Sequence, residues 1–71
     1  MNDTVNKPAH YTAGKIDCID AIESACAGLQ GFDGYCTGNA MKYLWRWKHK
    51  NGREDLLKAA WYINRLLEVA K

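Results

Sequence analysis

Apolar positions along the chain recur at helical spacing three times. Between about residues 16 and 28, Cys18, Ile19, Ala21, Ile22, Ala25, Cys26 and Leu29 line one face, with Asp17, Asp20, Glu23 and Ser24 opposite. Between about 38 and 50, Ala40, Met41, Leu44 and Trp47 fall on one side. Asn39, Lys42, Tyr43, Arg46, His49 and Lys50 fall on the other. Between about 53 and 70, Leu56, Ala59, Ala60, Ile63, Leu66, Leu67 and Ala70 make a stripe, and Leu57 and Trp61 lie off it. These periods predict an all-α fold, one small helical domain over residues 1–71. An ordered, extended N-terminal arm over residues 1–14 precedes three helices.

Turn and cap residues set the expected boundaries. Pro8 biases Lys7 toward extended backbone, so His10 and Tyr11 read as an anchor laid across the body. Gly28 to Gly34 reads as the most flexible stretch, with Phe32 or Tyr35 plugging the end of the core. Thr37 then opens the second helix as its N-cap, and the glycines before it can present backbone amides to an anion. Asn51 followed by Glu54 resembles a capping box for the third helix. So short a connection as Asn51-Gly52 makes the last two helices an antiparallel hairpin.

Size sharpens this picture. A chain of 71 residues has a thin core and rarely gains a comfortable margin alone. The surplus apolar surface at Leu57 and Trp61 therefore predicts a homo-oligomer built through that side of the third helix. Cys18, Cys26 and Cys36 are odd in number and lack a Cys-x-x-Cys pair, so neither a disulfide framework nor a metal site is expected. The N-terminus is polar and no apolar run is long enough for a bilayer, which predicts a cytosolic protein.

Charge is where function enters. The formal net charge is only +2, but residues 1–36 set Lys7 and Lys15 against Asp3, Asp17, Asp20, Glu23 and Asp33. Residues 37–71 hold eight cations against Glu54, Asp55 and Glu68. Lys42, Arg46 and Lys50 follow one another at i, i+4 with no acid on the stripe, so like charges repel a turn apart. Either a phosphate-bearing ligand or the acids Asp17, Asp20 and Glu23 of the first helix would answer that face.

Three segments carry a resemblance. They are Pro8-Ala9-His10-Tyr11; Gly38-Asn39-x-x-Lys42-Tyr43-Leu44-x-Arg46; and Lys50-x-Gly52-x-x-Asp55-Leu56-x-Lys58-Ala59-x-x-Tyr62-Ile63. Together, from about Lys7 to Leu67, they resemble a small phage family catalogued as domain of unknown function 3310. Its members are also labelled SaV-like proteins or phage nucleotide kinases. The resemblance implies ligand-binding roles for His10, Tyr11, Asn39, Lys42, Tyr43 and Arg46, and work in the cytoplasm of an infected bacterial host. One larger member is described as a nucleoside-monophosphate kinase without a P-loop.

Three functions follow as expectations. In the first, the protein binds a nucleotide: Lys42 and Arg46 hold phosphates, Asn39 reads a base or ribose edge, and a tyrosine or Trp45 stacks on the base. Such a module would sequester a signalling nucleotide against host defence, or belong with the monophosphate kinases. Phosphoryl transfer would need Mg²⁺ and a positioned nucleophile, and no carboxylate cluster stands out. The chain therefore reads as a binder without a cofactor rather than an enzyme. The second is a protein–protein module that inhibits or redirects a host enzyme, anchored by Trp45 and Trp61. The third is DNA binding by a helix–turn–helix over residues 37–71, although its third helix is rich in leucine and alanine.

Overall fold

A computed structural model describes residues 14–71. They form three α-helices: α1 (Cys18–Ala25), α2 (Gly31–Arg46) and α3 (Arg53–Val69). A 3₁₀ turn at Trp47–His49 joins the last two, and no strand occurs among the described residues. The expected all-α fold with three helices is what the chain adopts. α2 is the middle element, packed against α1 on one flank and against α3, its hairpin partner, on the other. Of the expected arm, residues 1–13 lie outside the described residues, and His10 and Tyr11 with them.

The second helix starts seven residues earlier than its sequence suggests. Gln30 is its extended N-cap and Gly31 opens it with φ at +50°, so Thr37 lies inside the helix rather than at its start. Gly31 and Gly34 of the supposed flexible loop lie in this helix, and Gly34 and the following Gly38 meet the α1 side. The Cys26 thiol donates to the Gly34 carbonyl at 3.7 Å. A Cβ on Gly38 would lie 3.3 Å from Cγ2 of Ile22, so the missing side chain is what lets α1 come this close. The early start also moves the amides of the helix N-terminus away from the cationic stripe. Lys42 lies eleven residues into α2, roughly 16 Å along the axis.

The other helices also differ in extent. α1 covers only Cys18–Ala25, leaving Ile16 and Leu29 outside it and exposed. Ile19 turns outward, 66% exposed, because one short helix offers α2 only the side that carries Cys18 and Ile22. α2 ends at Arg46, and the tighter 3₁₀ turn takes Lys50 off the stripe. Gly52 is the residue before α3, with φ +55° and ψ −123°. An L side chain is strained there, while glycine lets its amide donate to the Trp47 carbonyl at 2.8 Å.

Burial is sparse. Among the described residues the fully covered apolar ones are Cys18, Cys36, Ala40 and Ala59, all small. Helices meet through small side chains, while the large ones spread over the surface. Phe32 and Tyr35 do not plug a core: both are exposed near the start of α2. Leu44, expected inside, is exposed as well, and so are Ile63 and Leu67 of the α3 stripe.

The close α1–α2 approach gives a first prediction. Gly38→Leu puts a branched side chain where the Ile22 methyl already stands. The unfolding midpoint, followed by circular dichroism, is expected to fall by about 5 °C or more. An unchanged midpoint would mean that α1 is not held against α2 at this point.

Candidate functional site

The site begins with a buried carboxylate. Asp55 lies in the first turn of α3, four residues before buried Ala59, and its side chain has 0% exposure. Its Oδ2 accepts from Arg46 Nε and from the Asn51 backbone amide, each at 3.2 Å. Its Oδ1 accepts from Arg46 Nη2 at 3.2 Å and from Asn51 Nδ2 at 3.3 Å. Arg46, 13% exposed, closes the end of α2 on this carboxylate as a two-pronged fork. The capping box expected at Asn51 and Glu54 does not form: Gly52 is the N-cap, and Asn51 gives its backbone and side-chain N–H groups to Asp55 instead. Glu54 instead reaches Lys58 at 3.9 Å.

Burial pushes the Asp55 carboxyl up, but the hydrogen bonds from Arg46 and Asn51 and the charge of Arg46 more than reverse this. Its pKa lies below the ordinary 3.8. Arg46 therefore has an internal acidic partner. It is Asp55, nine positions on, rather than the first-helix acids considered from sequence.

Around this lock stands an aromatic and cationic face shared by α2 and α3. The rings of Tyr43 and Tyr62 are nearly parallel, 6.1 Å apart with an interplanar angle of 14°. Tyr35 meets Tyr62 edge-on at 5.8 Å, and Trp61 does so at 5.0 Å. Three cations surround the Tyr43 ring: Lys42 at 4.6 Å, Arg46 at 4.8 Å and Lys58 at 5.5 Å. Further along, Arg65 lies 5.2 Å from the Phe32 ring and 5.5 Å from Trp61. A hydrogen bond with Tyr35 pushes the Tyr62 phenol up to about 12, helped by burial and by the neighbouring Tyr35, Tyr43 and Cys36. Burial pushes the Cys18 thiol up too, and the charge of Lys42 partly opposes it.

Four of the six residues expected to bind a ligand, Asn39, Lys42, Tyr43 and Arg46, lie along α2 at this face. The Asn39 amide nitrogen donates to the Tyr35 carbonyl at 2.8 Å, so it is committed to its own helix. Tyr35, expected to plug the core, Lys58 and Tyr62, named only within the resembling segment, and Arg65 join the face without having been assigned to a site. Their signal was present in part, since Lys58 and Tyr62 recur at i, i+4 from α3. A groove of about 440 Å³ between Leu29, Thr37, Leu66 and Val69 lies elsewhere and gathers none of the expected residues. Among the described residues there is no cluster of three or more His, Cys, Asp or Glu suited to a metal ion. Nor is any helix among them long and apolar enough to cross a membrane.

Fold and face together define a small all-helical protein organised around a cation-flanked tyrosine cluster. The chain belongs to DUF3310, a family of proteins of unknown function, matched over residues 5–64. No curated protein and no solved structure matches it.

The lock sets two expectations. Arg46→Ala leaves a buried carboxylate without its main partner, so the unfolding midpoint is expected to drop by about 10 °C or more. Arg46→Lys is expected to recover little, because one ammonium cannot fill both prongs. The folded carboxyl has the lower pKa, so as pH falls the unfolded chain takes up the proton first. Its contribution is full above the ordinary 3.8 and is lost as pH falls from there through the folded value. Asp55→Asn should flatten that acid limb of the stability curve, and an unaltered limb would refute the assignment.

At the alkaline end the sign reverses. Tyr62 holds its proton in the folded chain beyond the ordinary 10.0, so its contribution is lost as pH rises from there toward about 12. Phenolate absorbance should show a late-titrating tyrosine that disappears in Tyr62→Phe. A native protein whose tyrosines all titrate in the ordinary range would contradict it.

Proposed function

We propose that the protein binds a phosphate-bearing small molecule, a nucleotide, on the α2–α3 face around Tyr43. The observation that carries this reading is the pair Lys42 and Lys58, one from each helix, standing over a single tyrosine ring at 4.6 and 5.5 Å. Arg46, the third cation there, is balanced by Asp55, so its part is to hold the hairpin and the ring in place. Lys58 has only an exposed partner, Glu54 at 3.9 Å, which an incoming phosphate readily displaces. Two lysines supply charge to a phosphate, and the ring beside them supplies a face for a base.

The reading is one of binding rather than phosphoryl transfer. The fully buried carboxylate of this face, Asp55, is already spent on four hydrogen bonds, so it does not support a role in activating a nucleophile. A second reading, self-association, is favoured by Leu57 and Leu67, which are 57% and 66% exposed on α3. A partner copy is the simplest cover for them. Sedimentation at micromolar concentration giving an 8.0 kDa species would remove it.

The test of the main reading is a nucleotide panel followed by calorimetry, with inorganic phosphate as the minimal probe. Lys42→Ala and Lys58→Ala are each expected to weaken binding roughly tenfold, as loss of one charge-assisted contact does. Both should leave the unfolding midpoint nearly unchanged, unlike Arg46→Ala. Full affinity in the double variant, or no nucleotide bound by the parent protein, would end the proposal.

A further inference from the structure

The ring cluster does not stop at Tyr43. Tyr62 stacks on Tyr43 and meets both Tyr35 and Trp61 edge-on, and Arg65 then bridges Trp61 to Phe32. On α2 this face runs from Phe32 to Arg46, fifteen residues and roughly 21 Å of helix. That is longer than one nucleotide. The rings at its far end are also the least covered: Tyr35 is 62% and Trp61 55% exposed. Aromatic rings kept in water at this cost in apolar exposure suit a partner that brings flat surfaces to them.

Cations accompany the rings throughout. Lys42 and Lys58 stand at Tyr43, and Arg65 at Phe32 and Trp61. The acids among them are Glu54 and Glu68, both exposed and each paired at the surface with a cation of the face. Such pairs are weak and screened by salt, so they yield to phosphates. A second copy of this chain fits this end poorly, since a two-fold contact here would bring cations against their own counterparts.

We propose that the whole face is a track for single-stranded nucleic acid, a chain of nucleotides whose first station is the Tyr43 site. The proposal rests on the nucleotide-binding reading and extends it. Bases stack on the exposed rings of Tyr35, Trp61 and Phe32, and phosphates pass along Lys42, Lys58 and Arg65. Arg65 adds a planar guanidinium on which a base can also lie. Single strands are selected because rings read base faces. A duplex keeps those faces stacked and offers only edges and backbone.

The experiment compares thymidine monophosphate with oligothymidylates of ~4 and ~8 nucleotides, inside the site sizes of single-strand modules. Binding is followed by tryptophan fluorescence, with sedimentation on the same samples. Affinity is expected to rise at least tenfold from the monophosphate to the longest strand and to fall with added salt. Trp61→Ala should remove most of that gain and leave monophosphate affinity within about twofold. Equal affinity for all lengths would overturn the track and leave the nucleotide site standing. So would equal affinity for a blunt duplex of matching length, or a Trp61→Ala protein that changes only its subunit number. Failure to bind any of the probes would overturn both proposals.

Discussion

A carboxylate without exposure in an 8.0 kDa protein is costly to keep charged, and its donors decide how the helices must meet. Asp55 draws them from the end of α2, through Arg46, and from the turn, through Asn51. Each of its oxygens accepts twice. Neither helix can slide or rotate against the other without stripping one of these bonds. The first turn of α3 favours an anion as well, because unsatisfied amides and the helix dipole point there. Small residues at the helix contacts, such as Cys36, Ala40 and Ala59, pack closely but select a register only weakly. The polar lock supplies that selection.

Fixing Arg46 has a consequence for the outer surface. Its guanidinium stays 4.8 Å from the Tyr43 ring while its charge is matched from below by Asp55. The ring is thus held by a neutralised cation, and the net charge around it comes from Lys42 and Lys58. Nearly parallel packing on Tyr62, which Tyr35 meets edge-on, fixes the ring from the other helix. A flexible surface lysine pair becomes a directed one when the ring beneath it cannot move.

Helix existence was legible from periodicity, and so was the hairpin near Asn51-Gly52, although the connection runs from Trp47 to Gly52 through a 3₁₀ turn and not over two residues. Boundaries were less so. Gly28, Gly31 and Gly34 read as a flexible loop when taken by propensity alone, since glycine is a poor helix former. In the fold Gly31 starts a helix with positive φ, Gly34 accepts from the Cys26 thiol, and Gly38, further along the same helix, makes room for α1, tertiary benefits that local preference cannot register. The basic stripe was visible, but its main partner was sought on the wrong helix. The clue lay in α3: Asp55 falls on the same side as Ala59 and Leu66, at i+4 and i+11, where an apolar residue belongs. A lone acid on a buried stripe implies a cation brought to it by the fold. Tyr35, Lys58 and Tyr62 were harder to assign, because nothing in spacing within one helix says which residues of another will face them.

The thinness of the molecule connects these points. Among the described residues only small apolar side chains are fully covered, so these helices do not rest their stability on a large core, and Tyr35, Tyr43, Tyr62 and Trp61 do not serve one. They lie along a seam between two helices, half in contact with each other and half in water. In that position each ring contributes packing to the hairpin and still offers an edge or a face outward. The same seam carries Lys42, Lys58 and Arg65 because long cationic side chains cover ring surface with their stems while keeping charge in solvent. An arrangement that stabilises a shallow hairpin therefore also builds a surface suited to anions attached to flat rings. Structural and recognition roles fall on the same residues, and the buried lock beneath is what allows the surface to be altered without unfolding it.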